Sequence, residues 1–186
     1  IDRAIELGKL ATKLDDSIPQ TFWSLGYAHM MANEYEQAKQ AVENAIAIAP
    51  NYADAYGLLA LIKNTLGESE QAIELVKKGM QLNPYYTWDY LYNLGRAYYS
   101  SGQIDKAIES LEQARTRNEN AMPIRLHLAA SYARAGRIDD AEWEVEEIQM
   151  LNPEETISLL KTTIPLNDPQ YMQMFVSDLR KAGLPE

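Results

Sequence analysis

The sequence contains no cysteine, and it is short of positive charge. Without cysteine it can form neither a disulfide framework nor a thiolate metal site, which fits a reducing compartment. Its 17 lysine and arginine residues stand against 27 aspartate and glutamate residues, giving a formal net charge of −10 over 186 residues. A chain this acidic repels phosphate backbones, so we expect no nucleic acid as a ligand of this segment.

Long apolar runs are also missing, since none approaches the roughly 18 residues that span a membrane. The sequence has no secretory signal pattern and no initiating methionine, and it opens on IDRAIELGKLA. That opening fits the middle of the repeat described below. We therefore expect a cytoplasmic segment, without a membrane span, excised from a larger protein with further chain upstream.

What the sequence does contain is a period of 34 or 35 residues. Small or apolar residues recur at this spacing in several series, and Asn or Gly recurs between them. The series are Ala4, Ala38, Ala72, Ala107 and Ala141; Gly8, Val42, Val76, Leu111 and Val145; Leu25, Leu59, Leu94 and Leu128; and Asn33, Gly67, Gly102 and Gly136. The last series predicts tight turns, because Asn and Gly tolerate a left-handed backbone.

Such a period predicts stacked helical hairpins. Two antiparallel helices approach closely only where side chains are short, which explains the recurring small residues. One hairpin of this length cannot bury its apolar face alone, so neighbouring hairpins need one another. The alternative is an irregular helical bundle, in which such a period is rare.

The repeated pattern resembles the tetratricopeptide repeat (TPR) family, whose repeat is about 34 residues long. It consists of an aromatic residue, Leu-Gly or Leu-Ala, a turn Gly, a series of small residues and a closing Pro. Four full repeats match, at 19–52, 53–87, 88–121 and 122–153, and residues 1–16 match only the second helix of a truncated upstream repeat. The resemblance implies an all-α fold, namely a TPR-type α-solenoid in which helix-turn-helix repeats form a right-handed superhelix.

After Pro153 the pattern stops, and residues 154–186 are expected to form a C-terminal helical cap. Asn152 and Pro153 predict the start of a short helix over Glu154–Lys161. Asp168 and Pro169 repeat that start signal before a helix over Tyr171–Lys181, whose apolar face carries Met172, Phe175, Val176 and Leu179. A cap of this kind gives the last repeat a polar outer face.

The tail DPQYMQMFVSDLRKAGLPE carries a second resemblance. It is similar to the C-terminus of bacterial proteins that place a TPR array behind a class III adenylate/guanylate cyclase domain. The matching residues are Asp168, Pro169, Phe175, Leu179, Arg180, Lys181, Ala182, Gly183, Leu184 and Pro185. The sequence shows no cyclase metal-binding or nucleotide-binding pattern, so the resemblance implies an auxiliary region, with any catalytic domain upstream of Ile1.

In the TPR family the first helix of each repeat lines a concave groove. Carried over by position, the resemblance implies a peptide-binding groove lined by Gln20, Trp23, Tyr27, Met30, Met31, Asn64, Asp89, Tyr92, Asn93, Arg96, Tyr99, His127 and Arg134. Rigid rings with a polar tip give a large contact area at little entropic cost, and arginines grip carboxylates. These residues predict an extended or helical peptide ligand with acidic and apolar positions. The alternative is that the rings pack between helices, and the sequence does not choose between the two for any single ring.

The family's carboxylate clamp is not expected here. In that clamp, Lys and Asn residues hold a C-terminal carboxylate, whereas the matching positions of this chain hold Trp23, Tyr27, Gly57 and Leu61. A receptor for chaperone tails is therefore disfavoured.

No residues point to catalysis, a metal or a cofactor. His29 and His127 have no Cys or acidic partner at metal-ligand spacing, so we expect packing or hydrogen-bonding roles for both. The acidic run at Glu142, Glu144, Glu146 and Glu147 is expected to face solvent on an outer helix. Neither a glycine-rich phosphate loop nor a serine elbow occurs.

The sequence thus predicts a protein-interaction module that binds a peptide or partner domain in its groove. The alternative is a regulatory or oligomerising C-terminal region of a signalling enzyme such as an adenylate/guanylate cyclase. An enzyme in its own right is disfavoured. The half-repeat at the N-terminus should expose apolar residues, including Leu7, Leu10 and Leu14, which predicts a homodimer through this face.

Overall fold

A computed structural model describes residues 1–163 and 168–186, and within them every assigned element is a helix. The chain divides into an N-terminal unit, Ile1–Tyr86, and a C-terminal unit, Thr87–Glu186. The N-terminal unit contains α1 (Asp2–Leu14), α2 (Pro19–Met31), α3 (Tyr35–Ile48), α4 (Ala53–Thr65) and α5 (Ser69–Leu82). The C-terminal unit contains α6 (Trp88–Ser100), α7 (Ile104–Arg117), α8 (Met122–Arg134), α9 (Ile138–Leu151), α10 (Ile157–Thr163) and α11 (Pro169–Lys181). The predicted all-α fold is confirmed.

Each predicted repeat is a pair of contacting helices. In the N-terminal unit α2 pairs with α3, α4 pairs with α5, and α1 packs on α2. The core between α3 and α4 consists of Tyr35, Ala38, Val42, Ala45, Ala55, Leu58, Leu59 and Ile62, with Trp23 and Met30 packed against it. In the C-terminal unit α6 pairs with α7 and α8 with α9. Within each unit the two neighbouring pairs therefore pack on each other, through α3 and α4 and through α7 and α8, as the period predicted.

The Leu-Gly positions mark a close approach within two of these pairs. A Cβ added at Gly26 would lie 2.5 Å from Cγ2 of Val42, and one at Gly95 would lie 2.5 Å from Cγ of Leu111. Both distances are far below van der Waals contact, so a larger residue would push the paired helices apart. The physical reason given above for the recurring small residues therefore holds at both sites.

The predicted turns take the expected conformation. Asn33 has φ 60°, and Gly67, Gly102 and Gly136 have φ 80°, 76° and 77°. All four residues lie in the left-handed region, where a side chain with a Cβ is strained unless it is Asn or Asp. Asn33 meets this requirement and also accepts a hydrogen bond from the Tyr35 hydroxyl at 2.8 Å.

The C-terminal segment differs from the prediction at the start of α10. This helix begins at Ile157 and not at Glu154, because the Asn152 side chain accepts from the Glu154 amide at 3.2 Å and donates to Glu155 at 3.0 Å, closing a turn. The start signal at α11 is confirmed, since the Asp168 carboxylate accepts from two backbone amides of the first turn. The predicted cap over 154–186 includes residues 164–167, which lie outside the described residues.

The acidic run on α9 is not entirely solvated, which corrects the expectation for Glu144. This residue is fully buried, and its carboxylate pairs with Arg115 of α7 and with Arg125 of α8, the latter at 2.9 Å. Burial raises the pKa of the Glu144 carboxyl, and the two guanidinium groups oppose that shift. The pattern of charges along one helix did not reveal this, because the partners come from two other helices.

Within the described residues, no helix is both long enough and apolar enough to cross a membrane. The same residues contain no group of three or more His, Cys, Asp or Glu side chains positioned to hold a metal ion.

Candidate functional site

In the N-terminal unit, three of the predicted groove residues form a line along α2, in which two are exposed and one is half-buried. Trp23, Tyr27 and Met31 follow one another at intervals of four residues, which places them on one helix face. The rings of Trp23 and Tyr27 are stacked, with centroids 5.6 Å apart and planes 9° from parallel. Tyr27 is 44% exposed and Met31 is 50% exposed. We call these three residues the α2 strip.

The α2 strip is held in place by a contact between two helices. The Trp23 indole Nε1 donates to the backbone carbonyl of Asp54 on α4 at 3.1 Å. Trp23 also packs on the core between α3 and α4, so it is half-buried. Trp23 therefore packs between helices and also supports the exposed Tyr27 ring. In this pair one ring has the packing role and the other is accessible to a ligand.

The other predicted residues of the N-terminal unit divide by burial. Gln20 is exposed at the start of α2. Met30 is half-buried and packs on the core, and Asn64 on α4 is 7% exposed. The accessible part of the predicted groove in this unit is thus the α2 strip with Gln20.

In the C-terminal unit two of the predicted residues, Tyr99 and His127, are covered by α11, which packs on α8. Tyr99 is completely buried, His127 is 3% exposed and Asn93 is 6% exposed. The Tyr99 hydroxyl donates to Oδ2 of Asp178 on α11 at 2.8 Å. The Tyr99 ring also meets the rings of Tyr171 and Phe175 edge-on, at centroid distances of 5.9 and 6.0 Å. Tyr99 and His127 are therefore already in contact with another helix of the same chain.

His127 is the centre of this contact. Its Nδ1 lies 2.8 Å from the Pro123 carbonyl, which can only accept, so Nδ1 carries the proton. Nε2 then accepts from the Tyr171 hydroxyl at 2.9 Å, and the Phe175 ring stacks on the imidazole at 4.5 Å. Burial, followed by the nearby Arg96 charge, lowers the pKa of His127 to about 3. The imidazole is thus a neutral packing and hydrogen-bonding group, the role expected from the sequence.

The hydroxyl groups around His127 also remain neutral. Burial is the main cause that raises the pKa of Tyr171 to about 12. Burial and the adjacent Asp178 carboxylate raise the pKa of Tyr99 further. Both tyrosines therefore act as hydrogen-bond donors to groups on the opposite helix.

Asp178 forms ion pairs with two basic side chains. Its carboxylate is 3.8 Å from Nε of Arg134 and 2.9 Å from Nζ of Lys181, besides the bond from Tyr99. Arg134 also lies over the Tyr99 ring at 5.3 Å and contacts the Met174 sulfur. Asp178 of the same chain is thus the carboxylate that forms an ion pair with Arg134. A grip by Arg134 on the carboxylate of a ligand stays a prediction.

Three predicted residues remain, and all three are half-buried: Asp89, Tyr92 and Arg96. The Tyr92 ring meets His127 edge-on at 5.3 Å, and the Arg96 guanidinium lies over the Tyr92 ring at 5.7 Å. Asp89 accepts from the Thr87 hydroxyl at the start of α6.

Sequence reasoning missed two of the three α11 residues that matter here. Phe175 was placed on the apolar face of the last helix, but Tyr171 and Asp178 were not. The three residues are spaced by four and then three positions, so they share one helical face. That spacing was the available signal, and it was overlooked because two of the residues are polar.

Two family models described as tetratricopeptide repeat match this chain, at residues 29–85 and at residues 92–148. Among curated proteins, the small glutamine-rich tetratricopeptide repeat-containing protein 2 of Saccharomyces cerevisiae is 38% identical over 55 residues. That match takes in 30% of this chain and 16% of the other protein, so this chain covers well under two thirds of that relative.

Solved structures share the fold over most of the chain. MamA is 25% identical, with a TM-score of 0.69 over 82% of this chain and 89% of that one. YrrB, described as a TPR protein with an unusual peptide-binding site, is 18% identical, with a TM-score of 0.69 over 96% and 92%. The thermophilic TPR protein TTC0263 from Thermus thermophilus is 23% identical, with a TM-score of 0.70 over 96% and 90%.

The two matched family segments end at residue 148, ahead of the tail that resembles cyclase-linked proteins. The link to a cyclase therefore stays a prediction from sequence, as does the homodimer through α1. Leu7 and Leu10 of that helix are 49% and 52% exposed.

Proposed function

Because this chain carries tetratricopeptide repeats at residues 29–85 and 92–148, we propose that it is a protein-interaction module that binds a peptide or partner domain through the first helices of its repeats. Support for this comes from the shared fold with YrrB, a protein described as having a peptide-binding site. A shared fold alone does not carry a function, so the proposal depends on the side chains of this chain.

The observation that carries the proposal is the α2 strip. A tyrosine ring that is 44% exposed lies flat on a tryptophan, and that tryptophan is bonded to the neighbouring first helix. Both rings are therefore fixed before any ligand arrives, which reduces the entropy lost on binding. Exposed aromatic side chains on a rigid support are the residues that most often dominate binding energy.

The chemistry of the strip favours an apolar segment of a partner. Tyr27 and Met31 offer an aromatic face and a flexible thioether, and Gln20 adds a hydrogen-bonding amide at the same end of α2 as Trp23. Methionine adapts its shape to different apolar side chains, and aromatic faces prefer apolar or cationic groups. The proposed ligand in the N-terminal unit is thus a peptide with an apolar or aromatic anchor.

The experiment is a selection from a displayed random-peptide library on the full chain. Enriched peptides are then measured for affinity to the chain and to the variant Tyr27→Ala/Met31→Ala. We expect the double variant to bind at least about tenfold more weakly, because it removes the exposed apolar contact area. Tyr85→Ala is the matched control, since Tyr85 is a 92% exposed tyrosine that follows α5 and is not part of the strip.

Equal binding of the enriched peptides to the chain and to the double variant would show that the α2 strip is not the site. A selection that enriches no peptide on the chain would count against peptide binding by this surface altogether.

A further inference from the structure

The helix α11 contacts the C-terminal unit in two different ways. Its hydrophobic residues Val176 and Leu179 are buried, and the chain after the helix returns to α10, where the Pro185 carbonyl accepts from the Ile157 amide at 2.8 Å. Tyr171, Phe175 and Asp178 meet side chains of α6 and α8. This second contact involves Tyr99 and His127, which the sequence predicts to bind a ligand.

The contact with α6 and α8 has the form of a helical ligand in a groove. Three anchors at positions i, i+4 and i+7 of one amphipathic helix face the receiving surface, which is the usual arrangement for a helix bound in a groove. Phe175 stacks on His127, Tyr171 donates to the same imidazole, and Asp178 accepts from Tyr99. We call this set of three the α11 anchors.

The receiving surface is specific as well as apolar. The Tyr99 hydroxyl and the His127 Nε2 are buried groups whose partners both come from α11, so a helix without a matching donor and acceptor would leave them unpaired. An unpaired buried polar group costs more than the hydrogen bond itself contributes. Arg134 adds a positive charge beside the acceptor, which favours a carboxylate at the last anchor.

We propose that the surface formed by α6 and α8 is a helix-binding site whose resident occupant is α11. The partner it fits is an amphipathic helix that carries an aromatic residue, a second aromatic residue four positions later and a carboxylate three positions after that. Such a helix replaces α11 when α11 is weakened or when the partner makes further contacts. This inference deepens the proposed function, but its residues lie in a different unit from the α2 strip.

Tethering makes α11 a strong competitor for its own site. A segment joined to its binding surface by a short connection acts at an effective concentration on the order of millimolar. A free helix with identical contacts therefore binds the intact chain poorly. It binds well once the anchors of the tethered helix are removed.

The experiment uses the full chain and a fluorescent synthetic peptide with the native sequence of residues 168–186. The chain variant Phe175→Ala/Asp178→Asn weakens the tethered helix and leaves α6 and α8 unchanged. By fluorescence anisotropy we expect the peptide to bind this variant at least about tenfold more tightly than the unaltered chain. Gln173→Ala, an exposed position on the same helix, is the matched chain control and should behave as the unaltered chain.

The site is then tested by changing first the peptide and then the receiving surface of the chain. A peptide carrying Phe175→Ala and Asp178→Asn should bind the chain variant at least about tenfold more weakly than the native peptide. Adding Arg134→Gln to the chain variant should also weaken the native peptide. In contrast, Tyr27→Ala/Met31→Ala should leave binding of the α11 peptide unchanged. A failure of the proposed α2-strip function can therefore be distinguished from a failure of the helix-binding site at α6 and α8.

Two results would overturn the inference. One is a chain variant that keeps its helical circular dichroism but binds the native peptide no more tightly than the unaltered chain does. The other, which needs no variant, is hydrogen exchange of the unaltered chain in which the amides of α11 are protected as strongly as those of α8. If α11 is a displaceable occupant, it must detach while α6 and α8 stay folded. Slower hydrogen exchange in α8 than in α11 is therefore the supporting result.

Discussion

The two units place different side chains at equivalent positions of the repeat. By the repeat spacing, Met30 near the end of α2 corresponds to Tyr99 of α6. Its neighbour Met31 corresponds to Arg134 of α8. In the N-terminal unit Met30 is half-buried and Met31 is 50% exposed. In the C-terminal unit Tyr99 is completely buried, and both it and Arg134 contact Asp178 of α11. The same backbone plan therefore presents an open apolar strip in one unit and a covered polar site in the other.

This difference shows that the surface of a first helix is determined by its side chains and not by the repeat itself. The spacing fixes which positions point away from the paired helix. Whether such a position stays accessible depends on whether another segment of the chain complements it. The comparison can be tested by measuring how much the stability of each unit depends on the residues at these positions.

The largest expected effect is on stability when one ring of the covered site is removed. Phe175 is completely buried against His127, so Phe175→Ala should lower the free energy of unfolding of the C-terminal unit by about 3–5 kcal/mol. Tyr27→Ala removes an exposed ring and should cost about 0.5 kcal/mol or less. Urea denaturation followed by circular dichroism measures both. Similar costs for the two variants would mean that the two surfaces do not differ as described.

The second effect is a pH dependence of the C-terminal unit. The folded-state pKa of His127 is about 3, below its ordinary value of 6.5, because the buried imidazole resists protonation. Between pH 3 and pH 6.5 the unfolded chain binds a proton at His127 and the folded chain does not. The contribution of the neutral His127 to the free energy of unfolding is therefore complete above pH 6.5 and declines as the pH falls toward 3. The slope should approach about 1.4 kcal/mol per pH unit.

Acidic groups elsewhere also respond to pH, so the measurement is a difference. The free energy of unfolding is compared between the chain and His127→Gln at several values from pH 8 to pH 5. The advantage of the chain over the variant should shrink as the pH falls through 6.5. An advantage that stays constant over this range would contradict a buried neutral His127.

The smallest effect concerns a single hydroxyl group. Tyr99→Phe removes the bond to Asp178 but leaves that carboxylate near Arg134 and Lys181, so we expect a loss of about 0.5–1.5 kcal/mol in the free energy of unfolding. The matched variant Tyr27→Phe removes an exposed hydroxyl and should change stability by less than about 0.5 kcal/mol. Thermal denaturation of the two variants side by side resolves this difference. Equal shifts would indicate that the buried bond contributes nothing beyond an exposed hydroxyl.

Much of the architecture could be predicted from the sequence because repeats make local rules visible several times. Each predicted repeat contains a pair of helices, and the four predicted turns have positive φ. The start of α10 was wrong, since a single Asn-Pro pair supports a turn as readily as a helix start. The helix α10 lies outside the repeats, so no equivalent helix in another repeat was available for comparison.

The candidate site was harder to predict for a different reason. Position in the repeat indicates that Trp23, Tyr99 and His127 lie on first helices, but it does not indicate what covers them. Trp23 supports an accessible ring, whereas Tyr99 and His127 are beneath α11. The covering residues lie 44 to 79 positions away from the residues they contact. No local pattern connects residues at such separations.

The sequence by itself determined the helical hairpins, their turns and the side of each helix that packs on its partner. These features depend on residues close together in the chain, where periodicity and backbone preference act directly. Only the tertiary structure decided that Asp178 is the carboxylate beside Arg134 and that Glu144 is buried between two arginines. Such pairings depend on which helices meet in space, and the energy of a buried charge or ring is set by those distant neighbours.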